Sequence, residues 1–455
     1  MSLKPHPTKI VESASFRAVQ PPPPTYQPAL APAVIANGWL SNIQYESVVY
    51  AGMRHSQMLG HGAQRAAYFI GDGTGTGKGR QIAAIILDNW NQGRRRSVWV
   101  SKGWAMLDVC RRDLDDLRAQ CIPLKPLPHT NVADGLTAFF EGVVFCSYHH
   151  LTKGRPVVCS KGHEYQVTRC TSKLAFCGLC FSPLKGNHWT CMECSDDNDR
   201  ICDFCFALKA QHRVAALVEW MRGSKTVSNR AKGDGVLALD ECHTAKTVTT
   251  KTAAGISLLQ RCLPNARVVY ASATGASSLE HLSCLYRLGL WGEGEEMKTF
   301  DQFQNFLSRG VLPEDTPASK SAPYHMMGGR LERLELLALE MKARGMYCSR
   351  SLSWKDTEFE VRSTESSQAT IALYNQCVEL WVSILRWIMA RKANKKCGIS
   401  MQAYWSAHQR FFKQLLLSAK VMLMLMKCFH ALNPAVWFVF ISEISHVCCV
   451  LNCRS

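Results

Sequence analysis

A lysine that closes a run of alternating glycines, with an apolar strand before it and a helix after it, constrains this chain more than any other feature. The run is Tyr68-Phe-Ile-Gly-Asp-Gly-Thr-Gly-Thr-Gly-Lys-Gly79, followed by Arg80. Gly73, Gly75 and Gly77 let the backbone turn tightly with its amides facing inward. Those amides and the N-terminus of the next helix form an anion site. Lys78 at this spacing reaches the β- and γ-phosphates of a nucleotide. Gly73, Gly75, Thr76, Gly77, Lys78 and Gly79 are therefore the expected nucleotide-binding residues. The run departs from the generic pattern twice. Asp72 stands where the first glycine is usual, and Gly79 stands where Ser or Thr usually offers magnesium a hydroxyl.

The surrounding pattern supplies the fold class. Apolar strands at Ala67–Ile70, Ser97–Val100, Val143–Cys146, Gly235–Leu239 and Arg267–Ala271 alternate with helices at Lys78–Trp90, Trp104–Leu117 and Thr252–Cys262. Such alternation implies an α/β lobe, a parallel sheet covered by helices on both faces. The strand Leu237-Ala-Leu-Asp-Glu-Cys-His243 ends in two carboxylates. Asp240 fits the magnesium-holding position of P-loop enzymes, Glu241 is placed to orient or deprotonate the attacking water, and His243 to link the nucleotide to the rest of the protein. Val268-Val-Tyr-Ala-Ser-Ala-Thr274 is a further strand whose Ser272 and Thr274 are placed to sense the acidic box.

Between 155 and 214 the alternation stops and cysteines take over. The chain has 21 cysteines, and Met1–Gln20 has no apolar secretory core, so a reducing compartment and metal ligation are expected rather than disulfides. Three C-x₂-C pairs occur, Cys177/Cys180, Cys191/Cys194 and Cys202/Cys205, with Cys159/His163 as a fourth pair. Eight ligands make two tetrahedral zinc sites. The interleaved assignment puts Cys177, Cys180, Cys202 and Cys205 on one ion and Cys159, His163, Cys191 and Cys194 on the other. Cys170, His188 and His212 could replace the first pair. Every position is closed by protein, so the two ions read as structural, and zinc supplies folding energy that short loops lack. Cys191 to Cys205 looks like the heart of ZZ-type and related cross-braced fingers, which bind peptides.

The joint pattern resembles the strawberry notch family, helicase-like proteins of the second helicase superfamily. The resemblance lies in Gly71–Arg80, Asp240–Lys246, Tyr270–Ala276, Arg287–Gly294, Lys342–Tyr347 and Tyr404–Phe412. It implies a RecA-like lobe, ATP with Mg²⁺, a nuclear setting and a role in transcription. Gln44, in the helix before the phosphate loop, sits where such helicases read adenine. The net charge of +17 adds DNA or chromatin to the expected partners. The acidic stretch Asp196–Asp199 favours a basic peptide or histone tail at the zinc module.

The expected organisation is a disordered proline-rich lead-in over 1–32, the lobe over 33–154 and 215–294, the zinc insert over 155–214, a helical extension over 295–420 and an apolar tail over 421–455. Lys427, Pro434 and Glu443 interrupt that tail, and a span needs about 20 apolar residues, so no membrane partner is expected. Three functional readings are open: an ATP-dependent helicase-like regulator, hydrolysing weakly without a second lobe; a zinc-based interaction protein on an NTPase scaffold; or a fragment whose tail replaces that lobe.

Overall fold

The computed structural model describes residues 3–451 apart from 61, 130–131, 152–153, 155, 160, 170–174, 178, 181, 185–186, 195–199, 224–232, 246–250, 274–278, 293, 310–329, 354, 356–367, 394–400, 431–437 and 443–444. It comprises two compact units, Met1–Asp356 and Thr357–Ser455.

The first unit is built on a seven-stranded sheet of β1 (Tyr68–Ile70), β2 (Arg96–Ser101), β3 (Leu124–Pro126), β4 (Gly142–Ser147), β5 (Val236–Asp240), β6 (Arg267–Ala271) and β7 (Tyr347–Cys348). The spatial order is β7-β1-β6-β5-β2-β4-β3, and every neighbouring pair is parallel. Every residue of β1, β4 and β5 is buried, which is why these strands read as apolar runs rather than alternating ones. Successive side chains still point to opposite faces. Val98 and Val100 enter one core while Trp99 enters the other. Trp99 shares its core with helices α1 (Asn42–His55), α2 (Lys78–Asn91) and α3 (Met106–Asp116). The opposite core takes α4 (His212–Arg222) and α5 (Lys251–Cys262) through Val214, Leu217, Ile256 and Leu259.

Sequence periodicity missed two strands. β3 and β7 are three and two residues long, too short for any period to register. The stretch expected to be a helical extension thus returns to the sheet at Tyr347 and pairs with Phe69 of β1.

The proline-rich lead-in, expected to be disordered, lies along the lobe from residue 3 onward. Ile10 and Val11 pair with Leu352 and Ser351. Phe16 is buried edge-on to Tyr347, and Lys342 Nζ donates to its carbonyl. The Tyr26 hydroxyl donates to Asp88 at 2.7 Å, and Tyr50 donates to the Pro22 carbonyl at 2.9 Å. The Tyr26 ring occupies the space that a side chain at Gly52 would need. Proline stiffness lowers the entropy lost on docking, so a few apolar anchors suffice.

The cysteine-rich insert separates β4 from α4. A hairpin of Gln166–Arg169 with Asn187–Thr190 and a helix at Asp203–Ala210 frame it. Phe204, Ala207 and Leu208 of that helix pack against the lobe's core, so the lobe resumes by α4.

The second unit holds two long helices, Gln368–Ala393 and Met401–His430, and a two-stranded pairing of Phe438–Ser442 with Ser445–Leu451. Trp381 packs against Tyr404, His408 and Phe411, and the Tyr404 hydroxyl donates to the Trp381 carbonyl at 2.8 Å. Among the described residues no helix is long and apolar enough to cross a membrane.

His55 on α1 offers a test of this packing. It is fully buried, with Nε2 3.0 Å from the Val268 carbonyl. Burial pushes its pKa down from the ordinary 6.5 to about 3. The unfolded ring takes up a proton below pH 6.5 and the folded one does not until about pH 3. Stability therefore falls as pH drops through that window, by about 1.4 kcal/mol per unit from this residue. Urea unfolding between pH 4 and 7 should show a shallower acid loss for His55→Gln than for the parent. Parallel profiles would refute the assignment.

Candidate functional site

The phosphate loop leaves β1 at Gly71 and enters α2 at Lys78. Gly75 and Gly77 have φ of +86° and +82°, the left-handed region that side chains avoid. Thr76 is fully buried, and its hydroxyl donates to the Gly73 carbonyl at 2.8 Å, closing the turn on itself. Lys78 Nζ donates to the carbonyls of Asp72 and Gly73 at 3.0 and 3.2 Å, so its ammonium lies against the loop. Gln44 is buried on α1. Its Oε1 accepts from the Ser41 amide, and its Nε2 donates to the Thr76 carbonyl at 3.1 Å. A side chain at Gly77 would collide with that amide. Gln44 therefore braces the loop as well as capping its own helix.

Both departures from the generic loop have partners that no spacing rule reveals. Asp72 is completely buried and accepts from Gln81 of α2 and from Arg350, just past β7. Gly79 faces Asp113 of α3, whose carboxylate fills the space where a Ser or Thr side chain would begin. Burial pushes the Asp113 pKa up, and Arg112 works against that shift.

Asp240 ends β5 with Oδ2 2.8 Å from the Ser101 hydroxyl of β2. Burial is the main cause of its pKa of about 6, and the bond from Ser101 and the charge of Lys78 oppose the rise. A carboxylate held this dry is stabilised in its charged form by a cation beside it. Glu241 follows at φ +51°, an unusual conformation for a residue with a side chain. Its Oε2 lies 3.1 Å from His243 Nδ1, and the same nitrogen is 3.0 Å from the Ser272 hydroxyl. The Ser272 amide donates to the Ile70 carbonyl at 3.0 Å. A chain of contacts thus runs from Glu241 through His243 and Ser272 to the start of the phosphate loop. Thr274 lies outside the described residues.

In the insert, two groups of side chains converge: Cys159, His163, Cys191 and Cys194, and Cys177, Cys180, Cys202 and Cys205. Within each group the potential ligand atoms lie within 4.8 Å of one another. A tetrahedron with Zn–S arms of about 2.3 Å has edges of about 3.8 Å. The Cys159–Cys194 and Cys180–Cys202 sulfur separations are 3.6 and 3.8 Å. His163 Nδ1 is 3.3 Å from the Cys194 sulfur, while its Nε2 faces Glu193 at 3.3 Å. A carboxylate on the far nitrogen is the usual way to orient a metal-binding imidazole. Both groups therefore fit a tetrahedral ion. Of the spare candidates, Cys170 lies outside the described residues, His188 sits opposite Thr168 at 3.1 Å, and His212 opens α4; neither histidine joins a group.

Arg350, Asp113 and Ser101 are site residues that sequence reasoning missed. The one available signal was an acidic residue in a phosphate loop, which needs a positive partner somewhere.

The description "P-loop containing NTP hydrolase pore-1" belongs to a family model that matches residues 5–178 and 204–376. Protein FORGETTER 1 of Arabidopsis thaliana is 34% identical over 92% of this chain and 27% of its own length. Protein strawberry notch homolog 1 of Gallus gallus is 33% identical over 91% of this chain and 29% of its own. Protein strawberry notch of Drosophila melanogaster is 32% identical over 92% and 22%. The chain thus spans less than a third of the length of these relatives. Among solved structures, the Sulfolobus solfataricus SWI2/SNF2 ATPase core in complex with dsDNA aligns over 84% of this chain and 57% of its own, with 11% identity and a TM-score of 0.38.

The Gly79–Asp113 contact yields a prediction. Gly79→Ser, which restores the generic loop on paper, should destabilise the protein by about 1–3 kcal/mol through overpacking. Adding Asp113→Ala should recover most of that loss in chemical unfolding. A fully stable Gly79→Ser variant would show that Asp113 does not exclude the hydroxyl.

Proposed function

Because this chain belongs to the strawberry notch family of P-loop NTP hydrolases, we propose that it is an ATP-binding, helicase-like regulator of transcription or chromatin that works in the nucleus. The observation that carries this reading is the strand order, which sets the loop of Lys78 after β1 and the pair Asp240 and Glu241 at the end of β5 with only β6 between them. Lys78 and the amides of Gly75–Gly79 would bind the phosphates, while the Gly73 amide is held by the Arg350 carbonyl. Asp240 would hold Mg²⁺, which neutralises phosphate charge. Glu241 would position and deprotonate the attacking water, with His243 orienting its carboxylate. Gln44 would reach the adenine from the turn it braces.

The described residues contain one such lobe, and in related enzymes an arginine from elsewhere adds on the order of 10³–10⁵ in rate. Slow turnover is therefore expected of these 455 residues alone. The charge of +17 supports DNA or chromatin as the macromolecular partner, with affinity falling steeply as salt rises. The purified chain should bind ATP, Lys78→Ala should abolish binding, and Glu241→Gln should bind without turnover. Brisk hydrolysis by the isolated chain would contradict the weak-ATPase part, and unchanged binding by Lys78→Ala would contradict the site.

Two structural zinc ions belong to the same proposal, supported by the tetrahedral edges of the two groups. Elemental analysis should find two zinc ions per chain and about one after Cys191→Ser; a folded chain with none would end this reading. The alternative function is a zinc-dependent peptide- or histone-binding protein on an NTPase scaffold. It draws on Leu179 and Met192, exposed between paired cysteines, and peptide binding that survives Lys78→Ala would favour it.

A further inference from the structure

If the loop binds a nucleotide, Asp72 is a paradox, since it brings a negative charge into a turn whose work is to hold phosphates. Resting on that nucleotide-binding role, we propose that Arg350 is a positioning residue for the phosphate loop, one that cancels the Asp72 charge and fixes the loop's first turn so that an anion meets only amides and Lys78.

The geometry is closed on every side. The side chains of Asp72 and Arg350 are 0% and 4% exposed. Arg350 Nε donates to Asp72 Oδ1 at 3.0 Å and Nη2 to Oδ2 at 2.8 Å, a two-point grip matched to the carboxylate plane. The Arg350 amide adds a third bond to Oδ1 at 3.0 Å, and Gln81 of α2 adds a fourth to Oδ2 at 2.9 Å. Backbone bonds run the other way as well. The Gly71 amide donates to the Cys348 carbonyl at 2.8 Å, and the Gly73 amide to the Arg350 carbonyl at 2.7 Å. The remaining guanidinium donors reach Glu46 and Ser47 of α1, both at 2.8 Å. The segment that carries the arginine is itself held from outside, where Ile10 and Val11 pair with Leu352 and Ser351.

Stability alone does not explain this arrangement. A buried ion pair is weak evidence for stability, since apolar residues often do as well, and a glycine at position 72 would need no partner at all. What the pair does achieve is a rigid first turn whose own carboxylate is met by a cation. Removing either partner would change the charge seen by a polyphosphate, and in opposite directions. A purely structural pair would respond in the same direction to both losses.

That difference in sign is the test. Binding of a fluorescent ATP analogue with Mg²⁺ would be measured for the full chain, Arg350→Met, Asp72→Asn, the double variant and Arg350→Lys, with an unfolding midpoint for each. Arg350→Met should weaken binding about tenfold or more, because an uncompensated Asp72 carboxylate within the phosphate loop acts through a poorly screened interior. Asp72→Asn should bind more tightly than the parent, the double variant should return close to the parent, and Arg350→Lys should fall between the parent and Arg350→Met. Should Arg350→Met not fold, the Asp72→Asn and double variants decide by the same signs. Weaker binding by Asp72→Asn, or equal losses in both single variants beside a parent that binds, overturns the role of Arg350 alone. A folded parent that binds no analogue overturns the nucleotide reading itself, and the role of Arg350 with it.

Discussion

A parallel sheet buried on both faces has no room for chemistry along its strands. Polar groups can gather only where the strands end, and here the strand order decides which ends meet. β6 lies between β1 and β5. The phosphate loop comes after β1, the acidic box closes β5, and Ser272 comes after β6 between them. The contacts from Glu241 through His243 to Ser272, and from the Ser272 amide to Ile70, are a direct consequence. The same burial that makes the strands apolar pushes the Asp240 pKa up to about 6, leaving a desolvated carboxylate that a cation beside it would stabilise.

The phosphate loop shows how a local motif can deviate and still be consistent with its surroundings. Its two odd residues are each matched by a residue from another element. Asp72 is matched by Arg350 beyond β7, and Gly79 by Asp113 on α3. Each match is made far along the chain, so each ties the loop to a part of the lobe that a short segment could not reach. The N-terminal segment belongs to the same construction, because it pairs with the residues just after Arg350.

The insert is held by a different principle. Its buried cluster of described residues is small, and Cys159, Cys177, Cys191 and Cys205 make up half of its fully buried members. Little apolar surface is available to offset the entropy of ordering these loops, and the proposed zinc ions would supply the folding energy that the small cluster lacks. The helix Asp203–Ala210 serves both sides. Cys205 points into a ligand group while Phe204, Ala207 and Leu208 pack on the lobe. Arg261 of α5 lies over the Phe204 ring at 5.6 Å, so the module meets the lobe through a fixed contact.

By itself the sequence determined the features that short-range order dictates. Five strands, the helices after them, the glycine turn, the acidic strand end and the cysteine pairs all rest on spacing within a few residues, and the structure shows those elements and brings the pairs together in the interleaved groups. It did not determine β3 or β7, which are too short to carry a period, nor the packing of the lead-in, whose prolines look like a linker until Phe16 and Tyr26 find their pockets. Nor did it determine the partners of Asp72 and Gly79. Those depend on which residues distant in sequence the sheet order brings together, and a chain read one window at a time carries no record of that. The candidate chemistry was legible in the sequence because its groups sit at strand ends. The charge balance around that chemistry was decided only by tertiary structure, because electrostatic pairing acts through space.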